Sequence, residues 1–198
     1  MFITVDGING VGKSSIIKKL KIELKKLKLK VFLTKEPTDS FLGNFVRKSE
    51  NDLNGIVYTC LIASDRYYHI EKEIIPKLKK NLFVISDRYI ESSLALQSLD
   101  GVDINFIWNI NSKIIIPDLS IILTGDPRVV EERMKKRKAL SRFERKYSRK
   151  QEIEKYKVTS NFLIDKGFNL ITINNTENSI EKTVMIIIEE IQILLKKP

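Results

Sequence analysis

Apolar positions along this chain fall into two alternating patterns. Short, nearly unbroken apolar runs occur at Phe2-Ile3-Thr4-Val5, Val31-Phe32-Leu33-Thr34, Leu82-Phe83-Val84-Ile85-Ser86, Leu119-Ser120-Ile121-Ile122-Leu123 and Phe168-Asn169-Leu170-Ile171-Thr172-Ile173. Such runs predict strands buried on both faces. Between them the period lengthens to that of a helix. Ile16, Leu20, Leu24 and Leu27 recur through Lys18–Lys30 with lysines between, an amphipathic helix with a solvated basic face rather than a membrane-surface one. Phe41 to Lys48 reads as a short helix, and Gly55 to Ile75 as a long one closed by Pro76. Helical segments follow to about Lys113, and another starts at Asp126-Pro127 and runs to about Arg137. The last helix, Ile180 to Lys196, carries Ile180, Val184, Ile187, Ile188, Ile191 and Leu195 on one face. This alternation predicts a parallel sheet of five strands covered on both faces, a three-layer α/β/α fold with ligands at the carboxyl ends of the strands. No repeat, linker or low-complexity tract interrupts it, so residues 1–198 read as a single domain.

Composition narrows the class only a little. An apolar content of 42% with 30% charged residues is that of a globular chain with many charges. One cysteine, Cys60, leaves no intrachain disulfide and no cysteine zinc site; it reads as a small buried hydrophobe in a reducing compartment. The N-terminus runs straight into a strand, and no apolar run reaches membrane-spanning length, so the expectation is a cytoplasmic protein without a leader or a membrane partner. The net charge of +10 fits either nucleic acid or phosphate-rich small ligands with a lysine-rich surface.

The chemistry begins at Gly7-Ile8-Asn9-Gly10-Val11-Gly12-Lys13-Ser14, which has the form G-x-x-x-x-G-K-[ST] between a strand and a helix. Glycines let backbone N–H groups turn toward an anion, and the helix N-terminus adds its positive end at the same spot. Lys13 then reaches the outer phosphates of ATP or GTP, the Ser14 hydroxyl holds Mg²⁺, and Ser15 completes the loop. The other strands also end in polar residues: Glu36-Pro37 after the second and Asp87-Arg88 after the third. An apolar strand ending in an acid suits Asp87 to Mg²⁺, with a helix N-cap as its alternative role. Arg47, Arg66 and Arg88 suit a second phosphorylated substrate. Arg137, Arg142, Arg145 and Arg149 lie in a polar stretch that would close over transferring phosphates, or else form a solvated basic helix or an RNA patch. His69, Trp108 and Asn174-Asn175 read as surface, core and loop.

These residues keep the order found in thymidylate kinases, and nearly the whole chain resembles that family. Val5-Asp6-Gly7 through Lys13-Ser14 is similar to the family's first strand and loop. Thr34-Lys35-Glu36-Pro37 with Leu42-Gly43 and Val46-Arg47 resembles its E-P…L-G…I-R segment, and Ala63-Ser64-Asp65-Arg66 the segment whose arginine contacts the base. Ser86-Asp87-Arg88-Tyr89 followed by Ser92-Ser93-Leu94-Ala95-Leu96-Gln97 resembles D-R-Y-x-x-S-x-x-A-Y-Q. Pro117-Asp118-Leu119 to Asp126-Pro127, then Glu132-Arg133, resembles the fourth strand and its helix, and Leu140-Ser141-Arg142-Phe143-Glu144 the lid. The resemblance implies a P-loop kinase fold with a lid at about 137–150. It implies transfer of the γ-phosphoryl of Mg·ATP to dTMP in nucleotide biosynthesis, and a homodimer. Arg47 and Arg88 would fix the acceptor's phosphate, Arg66 with Ser93 and Gln97 its base, and Asp6, Glu36 and Pro37 would line the same site. The catalytic set would be Lys13, Arg88 and a lid arginine, Arg142 first and then Arg145 or Arg149, because the loop itself carries none.

Three positions depart from the family pattern. Asn9 stands where the loop usually has an acid that helps place Mg²⁺ or the acceptor's sugar. Ile62 replaces an aromatic that stacks on thymine, and Leu96 one that crowds the ribose 2′ position. They keep open a kinase of this fold acting on another nucleoside monophosphate or a deoxynucleoside. A non-catalytic basic nucleotide-binding protein is the third reading, with the acceptor-site arginines against it.

Overall fold

The computed structural model describes residues 1–135, 137 and 139–196. Its parallel sheet is built from β1 (Phe2–Gly7), β2 (Val31–Lys35), β3 (Phe83–Asp87), β4 (Leu119–Thr124) and β5 (Leu170–Asn174), in the order β2-β3-β1-β4-β5. Central β1 pairs Val5 with Asp87 of β3 on one side and Gly7 with Leu123 of β4 on the other. The strand order reverses at β1, so the loop that follows it opens into the crevice where open α/β sheets bind ligands.

Alternation along β1 sorts its residues between the two faces. Ile3 and Val5 pack in the cluster of α1 (Lys13–Lys26) and α10 (Ile180–Lys196), with Leu20, Leu24, Ile187 and Ile191. Each such fully buried side chain contributes about 1.5–3 kcal/mol. The other face packs against α5 (Ile90–Leu99), α6 (Ile104–Ile110) and α9 (Arg149–Asp165), where Phe2, Val84, Leu94, Ile107 and Leu163 form a second cluster. That face also takes in the polar side chains of Thr4 and Asp6, both fully buried. A third cluster joins α2 (Phe41–Ser49) and α3 (Gly55–His69) to α8 (Arg142–Lys146) through Val46, Tyr58, Leu96 and Phe143.

The structure corrects several expected boundaries. α1 stops at Lys26 because the chain turns left-handed at Lys28, φ 62°. The long helix does not close at Pro76. It loosens into one π turn at Ile70–Ile74, where the Ile75 N–H donates to the Ile70 carbonyl, and then continues as α4 (Ile75–Leu78). The wider turn accommodates a residue that has no N–H and whose ring crowds the preceding turn. β5 starts at Leu170, because Phe168 turns into the second cluster instead. α7 (Pro127–Lys135) is seen to Lys135; part of its expected end and of the expected lid falls on Lys136 and Lys138, outside the described residues. No helix was expected where α9 lies. Its buried face is Arg149, Glu152, Tyr156, Thr159, Ser160 and Leu163, too polar for hydrophobic periodicity to reveal. Cys60 is exposed rather than buried, and His69 is fully buried rather than on the surface. Among the described residues no helix is long and apolar enough to cross a membrane.

Candidate active site

The loop after β1 takes its shape from glycine. Gly7, with φ 131°, lies so close to β4 that a Cβ would sit 2.0 Å from the Leu123 carbonyl oxygen. Gly12 has φ 107° at the start of α1. Lys13 folds back over the loop, its Nζ donating to the carbonyls of Gly7 and Ile8 at 2.7 and 3.0 Å. Burial, and after it the neighbouring Arg88 guanidinium, lowers the Lys13 pKa from 10.5 to about 7. An anion entering the loop favours the ammonium again, so phosphate and the charge that binds it stabilise each other. Asn175, after β5, fixes the loop from behind: its Nδ2 donates to the Val11 carbonyl at 2.7 Å and its Oδ1 accepts from Thr183.

Two cavities meet at this loop. The first is lined by Gly10, Gly12, Lys13, Ser14, Ser15 and Asp87, together with Arg133 and Arg137. Gly7 and Val11, the other loop residues expected to touch nucleotide, do not border this cavity. Ser14 Oγ donates to Asp87 Oδ2 at 3.3 Å, which sets two hard oxygen donors together at the end of β3. Among the described residues no group of three or more His, Cys, Asp or Glu is arranged to hold a metal ion. Two protein oxygens beside a phosphate loop suit Mg²⁺, which keeps most of its waters and takes phosphate ligands.

The second cavity holds almost all the expected acceptor residues: Glu36, Pro37, Arg47, Ile62, Arg66, Arg88, Ser93, Leu96 and Gln97. Asn9 and Arg88 border both cavities, so the two open into each other there. Arg66 is buried, and each of its three guanidinium nitrogens is held by a partner. Nε donates to Glu36 at 2.9 Å, Nη1 to Asn111 at 2.8 Å, and Nη2 to Ser93 at 2.8 Å and to the Tyr89 carbonyl at 3.1 Å. His69 contacts the other Glu36 oxygen at 3.1 Å and Thr34 at 2.7 Å. Arg47 donates to the Pro37 carbonyl at 2.6 Å and presents the rest of its fork to Asn44 and Asp39. Gln97 is buried at the cavity wall, and its Oε1 has no partner among the described residues. Where the base-stacking aromatic was missed at Ile62, Tyr58 stands one turn earlier on α3 and Phe143 faces it from α8, ring centroids 6.4 Å apart.

Four expected residues are placed elsewhere. Asp6 borders neither cavity. Fully buried, it accepts from the N–H groups of Gly7, Tyr89 and Ser92, from the Ser92 hydroxyl and from Tyr156. It anchors the loop and the start of α5 and has no oxygen directed at a ligand. Arg142 forms a two-pronged pair with Asp100 at 2.9 and 2.6 Å and faces the acceptor side, not the loop. Of the remaining lid candidates, Arg145 is committed to the Leu140 carbonyl and Asn51, and Arg149 is buried on Glu152 at 2.6 Å. Besides Arg88, the arginines that reach the loop cavity are Arg133 and Arg137, the latter paired with Glu144 at 2.7 Å. Sequence reasoning also missed Glu152, Tyr156 and Asn111, and read Asn175 only as a loop residue. Arg149, Glu152, Tyr156, Ser160 and Leu163 do recur at helical spacing, which a search for buried polar periodicity would have found.

A profile described as thymidylate kinase matches residues 5–187 of the chain. A probable thymidylate kinase of Caldivirga maquilingensis is 40% identical over 149 residues, 73% of each chain. One of Staphylothermus marinus is 35% identical over 196 residues, covering 93% of this chain and 94% of the other. One of Archaeoglobus fulgidus is 39% identical over 146 residues, 73% of this chain and 74% of its own.

Proposed function

The chain belongs to the thymidylate kinase family, and on that premise we propose that it transfers the γ-phosphoryl group of ATP to the phosphate of dTMP, yielding dTDP and ADP. The observation that carries this reading is the junction of the two cavities at Asn9 and Arg88. A phosphate loop on one side and a walled, arginine-floored pocket on the other would bring two phosphate chains end to end.

In this reading ATP lies along the loop with Lys13 on its outer phosphates. Ser14 and Asp87 would hold Mg²⁺, which when bound neutralises charge on the donor phosphates. Arg88, at the junction, and Arg47, at the pocket rim, orient the acceptor's phosphate. Thymine carries an imide N–H, and the unpartnered Gln97 Oε1 is an acceptor of matching polarity in the wall. Arg66, held by Glu36, Asn111 and Ser93, presents a fixed positive edge to the base carbonyls. Tyr58 and Phe143 supply aromatic surface that Ile62 lacks. The acceptor's phosphate is already ionised, so catalysis is positioning and electrostatics, not proton transfer. Arg133 at the end of α7 and Arg137 at the start of a lid spanning about 137–150 would join Lys13 and Arg88 around the transferring group. Single-domain organisation, cytoplasmic location and a homodimer complete the reading; the dimer would bury the exposed Phe41, Phe45, Ile56 and Val57 of α2 and α3.

ADP release from Mg·ATP, measured with dTMP, dUMP, UMP, CMP, GMP and AMP separately and with thymidine as a nucleoside control, tests the assignment. The expected result is fastest turnover with dTMP. Leu96, without an aromatic's bulk, makes UMP the informative competitor. Turnover with another acceptor in preference to dTMP would reassign the substrate, and none with any would overturn the kinase reading.

A further inference from the structure

The neutral residue of the phosphate loop, Asn9, does not stand alone. Glu152 reaches it from α9 and accepts from both of its nitrogens: the backbone N–H at 2.9 Å on Oε2 and the side-chain amide at 3.2 Å on Oε1. Glu152 is fully buried and is fixed from the other side by Arg149 Nη1 at 2.6 Å. With Nδ2 committed to Glu152, the Asn9 amide must turn its oxygen the other way. That oxygen accepts from Arg88 Nη2 at the junction of the two cavities. The remaining Arg88 contacts are Ser92 Oγ at 2.9 Å and Asp6 Oδ1 at 3.8 Å. The Asp6 carboxylate is saturated by its own donors, so the closest side-chain acceptor bracing Arg88 is the Asn9 amide oxygen, and Glu152 sets its direction.

We propose that Glu152 is a positioning residue that supplies, from α9, the negative charge this phosphate loop lacks, acting through the Asn9 amide to hold the Arg88 guanidinium toward the acceptor's phosphate. Charge balance follows the same line. Lys13, Arg88 and Arg149 are the buried or half-buried cations here, and Asp6, Asp87 and Glu152 the carboxylates that face them. Replacing Asn9 by an acid would put an oxygen where Nδ2 now donates, against Glu152 Oε1 with no proton between them. Neutralising Glu152 at the same time would remove that clash and leave the carboxylate count unchanged. The two positions are therefore exchangeable carriers of one charge, and Glu152 itself borders neither cavity.

This inference rests on the acceptor reading of Arg88 above, and the experiment separates the two. Full-length parent, Glu152→Gln, Asn9→Asp, the double variant and Arg88→Lys are compared by dTMP affinity in calorimetry, by KM and kcat, and by thermal midpoint. Each single change at 9 or 152 is expected to weaken dTMP binding about tenfold, the scale of one charge-assisted hydrogen bond, with KM moving more than kcat. The double variant is expected to recover to within about threefold of the parent on the same scale. Arg88→Lys that leaves dTMP affinity unchanged removes the acceptor reading and this inference with it. Arg88→Lys that weakens dTMP, beside a double variant no better than its worse single, overturns Glu152's role alone. So does unchanged dTMP affinity in Asn9→Asp, a variant that leaves the Arg149–Glu152 pair intact. A purely structural Glu152 would lower the thermal midpoint without that reciprocal recovery.

Discussion

Lys13 illustrates how burial and function are linked in single residues. Its ammonium closes the loop over two carbonyls, at a pKa lowered to about 7 by burial and then by Arg88. On the proposed role of its charge at the transferring phosphate, Lys13→Ala is expected to reduce kcat by about 10²-fold or more while the far-ultraviolet dichroism stays unchanged. Glu91 carries a different consequence. It is fully buried beneath β1, accepts from Thr4, and leaves Oε2 without a partner among the described residues. Burial, and then Asp6, raises its pKa from 4.5 to about 7. The folded state therefore holds this proton more tightly than the unfolded chain. The resulting stabilisation is complete below pH 4.5 and is lost as pH rises to about 7. Denaturant unfolding from pH 4.5 to 8 should show a decline of up to about 3 kcal/mol from this group, and Glu91→Gln should flatten that slope.

At the scale of elements, α7, α8 and α9 determine which arginines border the loop cavity. Bidentate pairing to Asp100 holds Arg142 against α5, whereas Arg133 and Arg137 on and after α7 border the loop cavity. Arg137→Ala should therefore lower kcat more than Arg142→Ala, by about tenfold or more, in steady-state assays at saturating ATP and dTMP. A larger loss in Arg142→Ala would mean that the lid rearranges to bring Arg142 inward. α9 is tied to β1 by Tyr156, whose hydroxyl donates to Asp6 at 2.7 Å. Tyr156→Phe removes a donor to a buried carboxylate and should cost about 1.5–3 kcal/mol in urea unfolding. These contacts explain why the elements differed in legibility. β1, β3 and β4 announce themselves by apolar runs, and α1 and α10 by apolar stripes. α9 buries Arg149, Glu152, Thr159 and Ser160, which look like surface residues until their partners are known.

Over the whole molecule, the two helices beside the acceptor cavity carry exposed apolar side chains. Phe41 and Phe45 of α2 and Ile56 and Val57 of α3 are each more than half exposed, on helices whose inner faces line the acceptor cavity. If two copies meet there, Phe45→Glu combined with Val57→Glu should shift the protein to monomer in light scattering with its thermal midpoint otherwise preserved. A parent that is already monomeric would remove the dimer. Resemblance to the family supplied nine wall residues of the acceptor cavity but not Glu50, Tyr58, Tyr89, Ser92, Ser141 or Phe143. The chain's linear pattern was sufficient for the layer order, the phosphate loop and the strand-end residues. Local spacing decides those features, since a loop between a strand and a helix and the carboxyl ends of parallel strands converge wherever this topology forms. Partnership is a different kind of information. That Asp6 is saturated, that Arg142 pairs with Asp100, that His69 lies buried on Glu36, and that a loop without an acid has Glu152 beside it all depend on residues far apart in sequence being brought within hydrogen-bond range. Such contacts follow from packing geometry and the cost of leaving a buried polar group unpaired, which act only once the chain has closed on itself.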